Sequence, residues 1–595
     1  MPSRAVILAL GLGAAVSADP DPGFVCIGCT LIKSLALEGA FNNSETHLFT
    51  ALDTFVTSQS LNADGKTPDE ICKNAGLCLN ETCAFYDPAF GPAWEDVVIP
   101  GPQPDWPVQA PAPVQAASAA AAEVATAASA AAELGEADLR ASLARVGSWL
   151  AGRGALAADE AGSLVERRSL REVDGCNRTD VSCILTRFGS LHIPLFDGDG
   201  DRFSDHDTLR GAHWRGRDCD NKDPRVHPGR KAASGGGDAQ DHDCNGVSGV
   251  DPATGVGYEE QWCGGVERRG LAILGDSATA HFHVPPTWLT ASGWSASTVL
   301  NAASLTLAED ELDVPACSWG TAVDPDMARC PYMPPASVPT VDSLYLRLRA
   351  RNRCNHRDFQ NVGVNGARVT SSMGLVESLA RDGAADHPLL VVFALIGNDV
   401  CNGHPGSEHM TTVEDFQAAA LASLTALDAK LPTGSTVLAL SLVDGRVIWN
   451  ATSAEQHPVG SSYPQLYHFL DCSGEVNPCW GWLNSDPAWR DFTSERAFNL
   501  SATYDVLAAE ESFANFNLLH YTPDWPKLFA DYAATGGDPY DLIEKTDGFH
   551  PSQLGQTLLA GDIWAWLEAT HPEALGPVNP FNDLIDATFG DQGGH

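Results

Sequence analysis

The chain has 595 residues, 44% of them hydrophobic, which is enough to bury ordinary globular cores and suggests three or four domains by length alone. Its 77 acidic residues outnumber its 36 basic ones and give a formal net charge of −41. This balance argues against nucleic acid as a partner and against electrostatic docking to anionic membranes, whereas it suits a protein that holds calcium.

Residues 1–18 have the pattern of a secretory signal peptide, in which Arg4 precedes an apolar run that ends in small residues near Ala18. The run is too short to cross a bilayer, and no later stretch reaches spanning length. The 16 cysteines are then expected to form mostly disulfides, because secreted proteins fold in an oxidising compartment. We therefore predict a secreted or endolysosomal protein with glycosylation sequons at Asn42, Asn80, Asn177, Asn450 and Asn499.

Residues 19–88 combine cysteines with a helical spacing of apolar residues. Cys26-x-x-Cys29 is compatible with a redox or zinc site, but no second ligand pair and no thioredoxin-like pattern accompany it, so disulfides are favoured. The cysteine spacing resembles the saposin B-type domain, a small helical lipid-binding fold, in a shortened copy without the middle cysteine pair. Cys83 is left over, which suggests a bridge to a later part of the chain.

Residues 89–172 form a linker that is first rich in proline and then rich in alanine. Proline-rich chain is extended, and an alanine tract without an apolar stripe cannot bury a face, so an exposed helix is the alternative to irregular chain. The basic pair Arg167-Arg168 lies near the end of this linker. Because proteases cut exposed polar linkers, we predict cleavage between residues 137 and 172.

Residues 173–265 carry aspartates on alternate positions of a glycine-bent loop. Such carboxylates converge on one point, which is how hard oxygen ligands cage calcium. A solvated acidic loop is the alternative, but aspartates this close would repel each other without a cation. No glutamate follows at the twelfth position, so the loop lacks an EF-hand pair.

We expect structural calcium in this region, with more than one ion and with flanking cysteines that staple the loops. The predicted ligands are Asp197, Asp199, Asp201, Phe203, Asp205, Asp207, Asp220, Asn221, Asp223, Asp243 and Asn245.

Residues 266–595 alternate between short apolar runs and amphipathic stretches. We predict strands at 271–274, 342–348, 389–395 and 436–442, with helical stretches such as 414–429 between them. This alternation predicts an α/β fold with a doubly wound, mostly parallel sheet. Residues 446–545, rich in aromatic residues and proline, are interpreted as an insertion.

Gly275-Asp276-Ser277 follows the first of these apolar runs. Gly275 allows a sharp turn, Asp276 can accept nearby backbone N–H groups, and Ser277 stands where a helix would begin. A plain turn with a capping serine is the simpler interpretation. A serine at this place is also exposed at the sheet edge, beside helix N–H groups that can stabilise an oxyanion.

Three downstream stretches favour the catalytic interpretation. Asp547 and His550, three residues apart in a turn, offer a base for a serine hydroxyl and a carboxylate that orients the base. Asn398 and Gly366 follow two other predicted strands, and ligands bind at the carboxyl ends of strands in open α/β sheets.

The stretches around Ser277, Gly366, Asn398 and His550, in this order along the chain, resemble the SGNH (GDSL-type) hydrolase family. The resemblance implies Ser277 as nucleophile and His550 as base, with Asp547 orienting His550. The stretch around Asn398 departs from the family pattern, because Leu395 stands where the family has its first glycine. The implied oxyanion hole consists of the N–H of Ser277, the N–H of Gly366 and the side chain of Asn398.

Longer matches narrow the resemblance. The stretches that begin at Gly275 and Arg351, and residues 589–595, resemble the acyloxyacyl hydrolase family of secreted lipases, which remove secondary acyl chains from lipid A. The resemblance implies a lipid ester hydrolase that acts on lipopolysaccharide-like lipid at a membrane or micelle surface, and maturation into two disulfide-linked chains. A broader phospholipase or acylglycerol esterase is the runner-up, and a non-catalytic lipid carrier of the saposin type belongs to another class.

His281 and His283 follow the nucleophile closely. They either bind a phosphate or a sugar hydroxyl of the substrate or pack in the core, and the sequence favours neither. A zinc site would need a third ligand that the sequence does not identify.

Overall fold

A computed structural model describes residues 85, 87–92, 192–194, 196–207, 209–231, 240–286, 307, 310–323, 341–474 and 477–595. The predicted signal peptide, nearly all of the predicted saposin-like domain, residues 93–172 of the predicted linker with the predicted cleavage region, and the sequons at Asn42, Asn80 and Asn177 lie outside the described residues.

A five-stranded parallel sheet forms the centre of the described chain, in the order β2-β1-β3-β4-β5. All residues of β1, β3 and β4 are buried, as expected for apolar strands covered on both faces. The register pairs Leu271 with Leu390, and Val391 with Val437. The strands are β1 Gly270–Gly275, β2 Phe359–Asn361, β3 Leu389–Ala394, β4 Ser435–Leu440 and β5 Phe516–Tyr521.

Helices connect the strands, so the predicted α/β class with a parallel sheet is confirmed. The helices are α1 Ala212–Arg215, α2 Tyr258–Trp262, α3 Ser277–Ala280, α4 Leu344–Arg351, α5 Ser372–Ser378, α6 Val413–Lys430, α7 Arg446–Thr452, α8 Tyr463–Gly474, α9 Pro487–Glu510, α10 Trp525–Ala534, α11 Gln553–Thr570 and α12 Asn582–Phe589. Short 3-10 helices lie at Pro315–Cys317, Arg353–Asn355, Val369–Ser371, Pro539–Leu542 and Pro572–Leu575.

The strand predicted at 342–348 is wrong, because this segment forms α4. Its leucines alternate with other residues, which suggested a strand, but Ser343 caps a helix by accepting the N–H of Leu346 at 3.0 Å. The buried positions of α4 are Leu344, Tyr345 and Leu348, a spacing that lies on one face of a helix. Tertiary packing of that face therefore decided the conformation.

The assignment of residues 446–545 to an insertion is also wrong in part, since the segment contains β5 at the edge of the sheet. Only Phe516 of this strand is fully buried, and Asn517 is exposed. A half-exposed edge strand has no continuous apolar run to reveal it. β2 is only three residues long and was missed for the same lack of signal.

Disulfides link the loops around the sheet. The bridges Cys219–Cys244, Cys263–Cys354 and Cys401–Cys479 are present, and Cys317 and Cys472 are also disulfide-bonded. The predicted stapling of the aspartate loops is therefore confirmed by the first of these. Among the described helices, none has the length and apolarity that a bilayer crossing requires.

Segments from outside the predicted hydrolase domain pack onto it. The buried guanidinium of Arg215 donates to the carbonyl of Ser378 at 2.9 Å and to Gln360 at 3.2 Å. The ring of Phe85, fully buried, lies 4.9 Å from that of Phe469 on α8. Phe85 thus belongs to the hydrophobic core of the sheet domain, and the aspartate-rich region is joined to that domain by buried hydrogen bonds.

Candidate active site

The nucleophile turn lies at the carboxyl end of β1. Asp276 caps α3 by accepting the N–H of Ala278 at 3.1 Å, and its other oxygen accepts the N–H of Ile396 at 2.9 Å. A Cβ at Gly275 would lie 2.0 Å from the Thr279 hydroxyl, so only glycine fits there. Ser277 begins α3, as predicted, and is 9% exposed.

The turn at 547–550 brings a histidine to this serine. His550 Nε2 lies 2.8 Å from Ser277 Oγ, and His550 Nδ1 lies 2.6 Å from Asp547 Oδ2. The other oxygen of Asp547 accepts the N–H groups of Phe549 at 2.8 Å and His550 at 3.0 Å. Gly548 has φ +64°, which an L side chain would strain. The serine, the imidazole and the carboxylate therefore form one hydrogen-bonded chain.

Electrostatics favours a charged imidazole in this chain. Burial alone would lower the pKa of His550, but the charge and the hydrogen bond of Asp547 outweigh it and raise that pKa. Burial also raises the pKa of Asp276 to about 6, although three backbone N–H groups oppose it. An imidazolium formed during proton transfer is thus stabilised by a carboxylate beside it.

The predicted oxyanion donors are placed differently. Asn398 follows β3 and lines the same cavity as Ser277 and His550. Gly366 lies in an exposed turn with φ +76° and is not among the residues that line this cavity. The next residue after Asn398, Asp399, accepts the N–H of Val369 at 2.9 Å and joins the two loops.

An apolar cavity of about 70 Å³ opens to solvent at Ser277. Its walls are contributed by the loops after β3 and β4, by α7, α10 and α11, and by the 3-10 helix before the catalytic turn. Apart from the site residues already named, the walls include Val443, Val447, Ile448, Trp525, Leu528, Phe529, Leu542, Ile543, Phe549 and Leu558. The apolar lining of this cavity suits an alkyl chain whose ester lies at Ser277.

His281 and His283 do not line this cavity, and both are buried. His283 Nδ1 lies 3.0 Å from Glu544 Oε1, and His281 Nε2 lies 3.8 Å from the same oxygen. Burial alone would raise the pKa of Glu544, but the imidazoles, His283 foremost, outweigh it and hold that pKa at about 2. Core packing against a carboxylate is therefore what the structure shows for the two histidines.

Three predicted calcium ligands converge. One carboxylate oxygen from each of Asp197, Asp199 and Asp201 lies within 4.8 Å of the other two. Burial first, and then the like charges of Asp218 and Asp199, raise the pKa of Asp201 to about 8. The Oδ2 atoms of Asp199, Asp201 and Asp218 are buried and accept no hydrogen bond from the described residues.

Other predicted ligands have protein partners. Asp205 accepts from the amide of Asn221, Asp207 pairs with Arg217 at 3.5 Å, and Asp223 pairs with Arg225 at 2.6 Å. Asp220 lies in the same turn, with its backbone N–H bonded to Asp218 at 2.9 Å. Phe203 donates its N–H to Asp201 at 2.8 Å, while its ring stacks on His227.

Asp243 and Asn245 belong to a second cluster. Arg268 contacts the carboxylates of Asp243 and Glu259, and the Asn245 amide donates to both, at 3.1 Å and 3.0 Å. This cluster therefore contains its own buried cation in Arg268.

Sequence reasoning missed several residues that shape these sites. Glu544 contacts both histidines, Asp218 faces the aspartate loop, and the Gln556 amide donates to the Ala278 carbonyl at 3.1 Å. The only sequence signal for Glu544 was its position, three residues before Asp547. The two described sequon asparagines, Asn450 and Asn499, are exposed on α7 and α9.

The amino-acid sequence is similar to those of known proteins. A family model described as GDSL-like Lipase/Acylhydrolase matches residues 271–563. Acyloxyacyl hydrolase of Oryctolagus cuniculus is 44% identical over 411 residues, which is 68% of this chain and 69% of the relative. Acyloxyacyl hydrolases of Mus musculus and Homo sapiens are each 42% identical over 409 residues, with the same coverage.

Proposed function

The chain belongs to the acyloxyacyl hydrolase family and is a lipid ester hydrolase, and we propose that it cleaves the secondary, acyloxy-linked esters of lipid A-like lipids with Ser277 as nucleophile. The observation that carries this proposal is the 2.8 Å contact between Ser277 Oγ and His550 Nε2 at the mouth of an apolar cavity. The name that these relatives share, acyloxyacyl hydrolase, supports the acyloxyacyl ester as the bond attacked.

Acylation begins with the serine hydroxyl. His550 Nε2 takes the proton of Ser277 Oγ as the oxygen attacks the ester carbonyl carbon. Asp547 holds the imidazole in orientation and stabilises its positive charge. The bond between the carbonyl carbon and the ester oxygen of the carrier acyl chain then breaks. That oxygen takes the proton from His550 and leaves as a hydroxyl group, and the fatty acyl group stays on Ser277.

Deacylation repeats the same proton transfers with water. His550 takes a proton from water as it attacks the acyl-serine carbonyl, and returns it to Ser277 Oγ when the fatty acid leaves. The amide of Asn398 is our proposed side-chain donor to the oxyanion, because it lines the cavity beside Ser277. The backbone N–H of Ser277 is the second proposed donor, and Gly366, which does not line the cavity, is left out of the proposed oxyanion hole.

The apolar lining of the cavity favours a long acyl chain of a lipid over a short, polar acyl group as the substrate. Trp525, Leu528 and Phe529 of α10 form one wall, and Leu542 and Ile543 lie before the catalytic turn. Burying a methylene group stabilises binding by about 0.8 kcal/mol, so a long chain gains several kcal/mol in such a space. The released fatty acid is the group that we expect to occupy it.

A lipid panel tests this proposal. Wild type, Ser277→Ala and Ser441→Ala are compared on acyloxyacyl lipid A, on the same lipid without secondary chains, on diacyl phospholipid and on triacylglycerol. Ser441 is the matched control, because its hydroxyl also lies 2.7 Å from a histidine, His520, yet it does not line the cavity. We expect fatty acid release from acyloxyacyl lipid by wild type and Ser441→Ala only.

Two outcomes would contradict the proposal. Equal kcat/KM on phospholipid or triacylglycerol would favour a broader phospholipase or acylglycerol esterase. Turnover that survives in Ser277→Ala would show that another group is the nucleophile.

We also propose structural calcium at Asp197, Asp199 and Asp201. The convergent oxygens and the orphaned Oδ2 atoms of Asp199, Asp201 and Asp218 suit a hard divalent cation, which takes six to eight oxygen ligands. Bound there, calcium would neutralise the mutual repulsion of the carboxylates and fix the loop against the sheet domain. The other predicted ligands would join only if their present partners were displaced.

The remaining proposals concern the parts before the hydrolase domain. We propose secretion or delivery to an endolysosomal lumen, a shortened saposin-like domain at 19–88, a linker at 89–172, a calcium region at 173–265 and a catalytic domain at 266–595. Cleavage in the linker would leave two chains joined by a disulfide. Exposure of Asn450 and Asn499 supports glycosylation at these two sequons.

A further inference from the structure

Glu544 lies between the two segments that supply the nucleophile and the base. Its backbone N–H donates to the carbonyl of His550 at 2.8 Å, and its own carbonyl accepts the N–H of Gly548 at 2.8 Å. These two bonds close the turn that holds Asp547 and His550. Glu544 is therefore part of the base loop through its main chain.

The side chain of Glu544 points to the other segment. Its Oε1 lies 3.0 Å from Nδ1 of His283 and 3.8 Å from Nε2 of His281. His281 ends α3, the helix that Ser277 begins, with φ +62°. The nucleophile turn and the base loop are thus joined by one buried carboxylate between two imidazoles, and Thr546 adds a neutral bond of 2.7 Å to the carbonyl of Val284.

The arrangement is a buried carboxylate–imidazole contact, closest at His283, and differs from a metal site. Burial lowers the pKa of His281, which disfavours a positive charge on that ring. The carboxylate contacts both rings, whose centroids are 6.3 Å apart, and the ligand atoms of these three residues are not gathered within 4.8 Å of one another. All three side chains are at least nine-tenths buried. A charge at this depth interacts strongly with its partners, because water does not screen it.

We propose that Glu544 is a positioning residue for the hydrolysis reaction. Its carboxylate ties His281 and His283 to the base loop and so sets the 2.8 Å separation of Ser277 Oγ and His550 Nε2. The proposal rests on the proposed roles of Ser277 and His550. A misplacement of about 1 Å between reacting groups can cost a hundredfold in rate, so a rigid link between their two loops matters for turnover.

The test compares Glu544→Gln with Asp358→Asn. Asp358 is the matched control, because it also forms a buried ion pair, with Arg381 at 2.8 Å, but it precedes β2 at the opposite end of the sheet. For each purified full chain we would measure kcat and KM on a soluble ester, the rate at which a fluorophosphonate labels Ser277, and the melting temperature.

We expect Glu544→Gln to lower kcat and the labelling rate together, by about tenfold or more, with KM changed less than about twofold. Both substitutions should lower the melting temperature, by similar amounts. Asp358→Asn should keep kcat within about twofold. Glu544→Asp, which restores the charge on a shorter stem, should recover part of the lost kcat.

Folded Glu544→Gln with wild-type kcat and labelling rate would overturn the proposal. Equal loss of kcat in Asp358→Asn would also overturn it, by showing that any lost buried pair slows the enzyme. If Glu544→Gln does not fold, His283→Gln decides by the same criteria. Failure of the proposed function is distinct, since there Ser277→Ala would stay active or wild type would not be labelled at Ser277.

Discussion

Ser277 Oγ and His550 Nε2 lie 2.8 Å apart, although 273 positions separate the two residues in the chain. Each group reaches this contact from a turn stabilised by its own carboxylate, Asp276 on one side and Asp547 on the other. The contact places a hydroxyl, its base and an apolar cavity at one edge of the sheet.

Ser277 and His550 should act as one unit. Ser277→Ala and His550→Ala are each expected to lower kcat by about 10⁴-fold or more, and the double variant should lose no more than either single one, because triad members are not additive. Melting temperatures should stay close to wild type. Steady-state kinetics on one ester with all four proteins checks this, and additive losses would show that the two residues act in separate steps.

The acidic limb of the pH profile should report His550. The base must be neutral to accept a proton, and because Asp547 raises the pKa of His550, kcat/KM should fall with acid from a midpoint above the usual value of about 6.5. Asp547→Asn removes that charge, lowers the pKa of His550 and should move the midpoint to lower pH. We expect its kcat to fall by less than that of Ser277→Ala, because the carboxylate of a triad contributes less than the serine.

The pH experiment distinguishes His550 from Asp276, whose pKa burial raises to about 6. If the acidic limb keeps its midpoint in Asp547→Asn, the limb belongs to a group other than His550.

Asn398 should contribute to the transition state more than to binding. Asn398→Ala is expected to lower kcat by about a hundredfold with little change in KM, since an oxyanion donor bonds most strongly to the developing charge. Asn517→Ala, at an exposed asparagine of β5 that does not line the cavity, is the control. A rise in KM at constant kcat would assign Asn398 to ground-state binding.

Calcium should stabilise the fold. An ion bound by the folded state at a hundred times its Kd contributes about 2.7 kcal/mol, which raises the melting temperature by several degrees. Asp199→Asn and Asp201→Asn should weaken this effect, and Asp531→Asn, on the exposed surface of α10, should leave it unchanged. Melting curves in excess calcium and in chelator decide, and coincident wild-type curves would count against the site.

Maturation should produce two chains. Native secreted protein is expected to run as one band without reductant and as two bands with it, with the cut between residues 137 and 172. Mass spectrometry of the new amino terminus would give the position. A single band after reduction would contradict processing in the linker.

Local patterns in the sequence determined the elements whose signals are contained in a few adjacent residues. Largely apolar runs predicted β1, β3 and β4, because strands covered on both faces carry few polar positions. The Gly275-Asp276-Ser277 turn predicted a capped helix start, and the spacing of Asp547 and His550 predicted a local contact. Each of these signals depends only on residues close together in the sequence.

Only the tertiary structure decided the features that depend on distant partners. Residues 344–351 alternate like a strand, yet packing of Leu344, Tyr345 and Leu348 on one face made them a helix. β5 is an edge strand whose identity came from pairing with β4. The partner of His283 is Glu544, more than two hundred and fifty positions away, and no spacing in the sequence encodes it. Such contacts form only when the fold brings remote segments together. Local residue preferences for helix or strand therefore do not predict them.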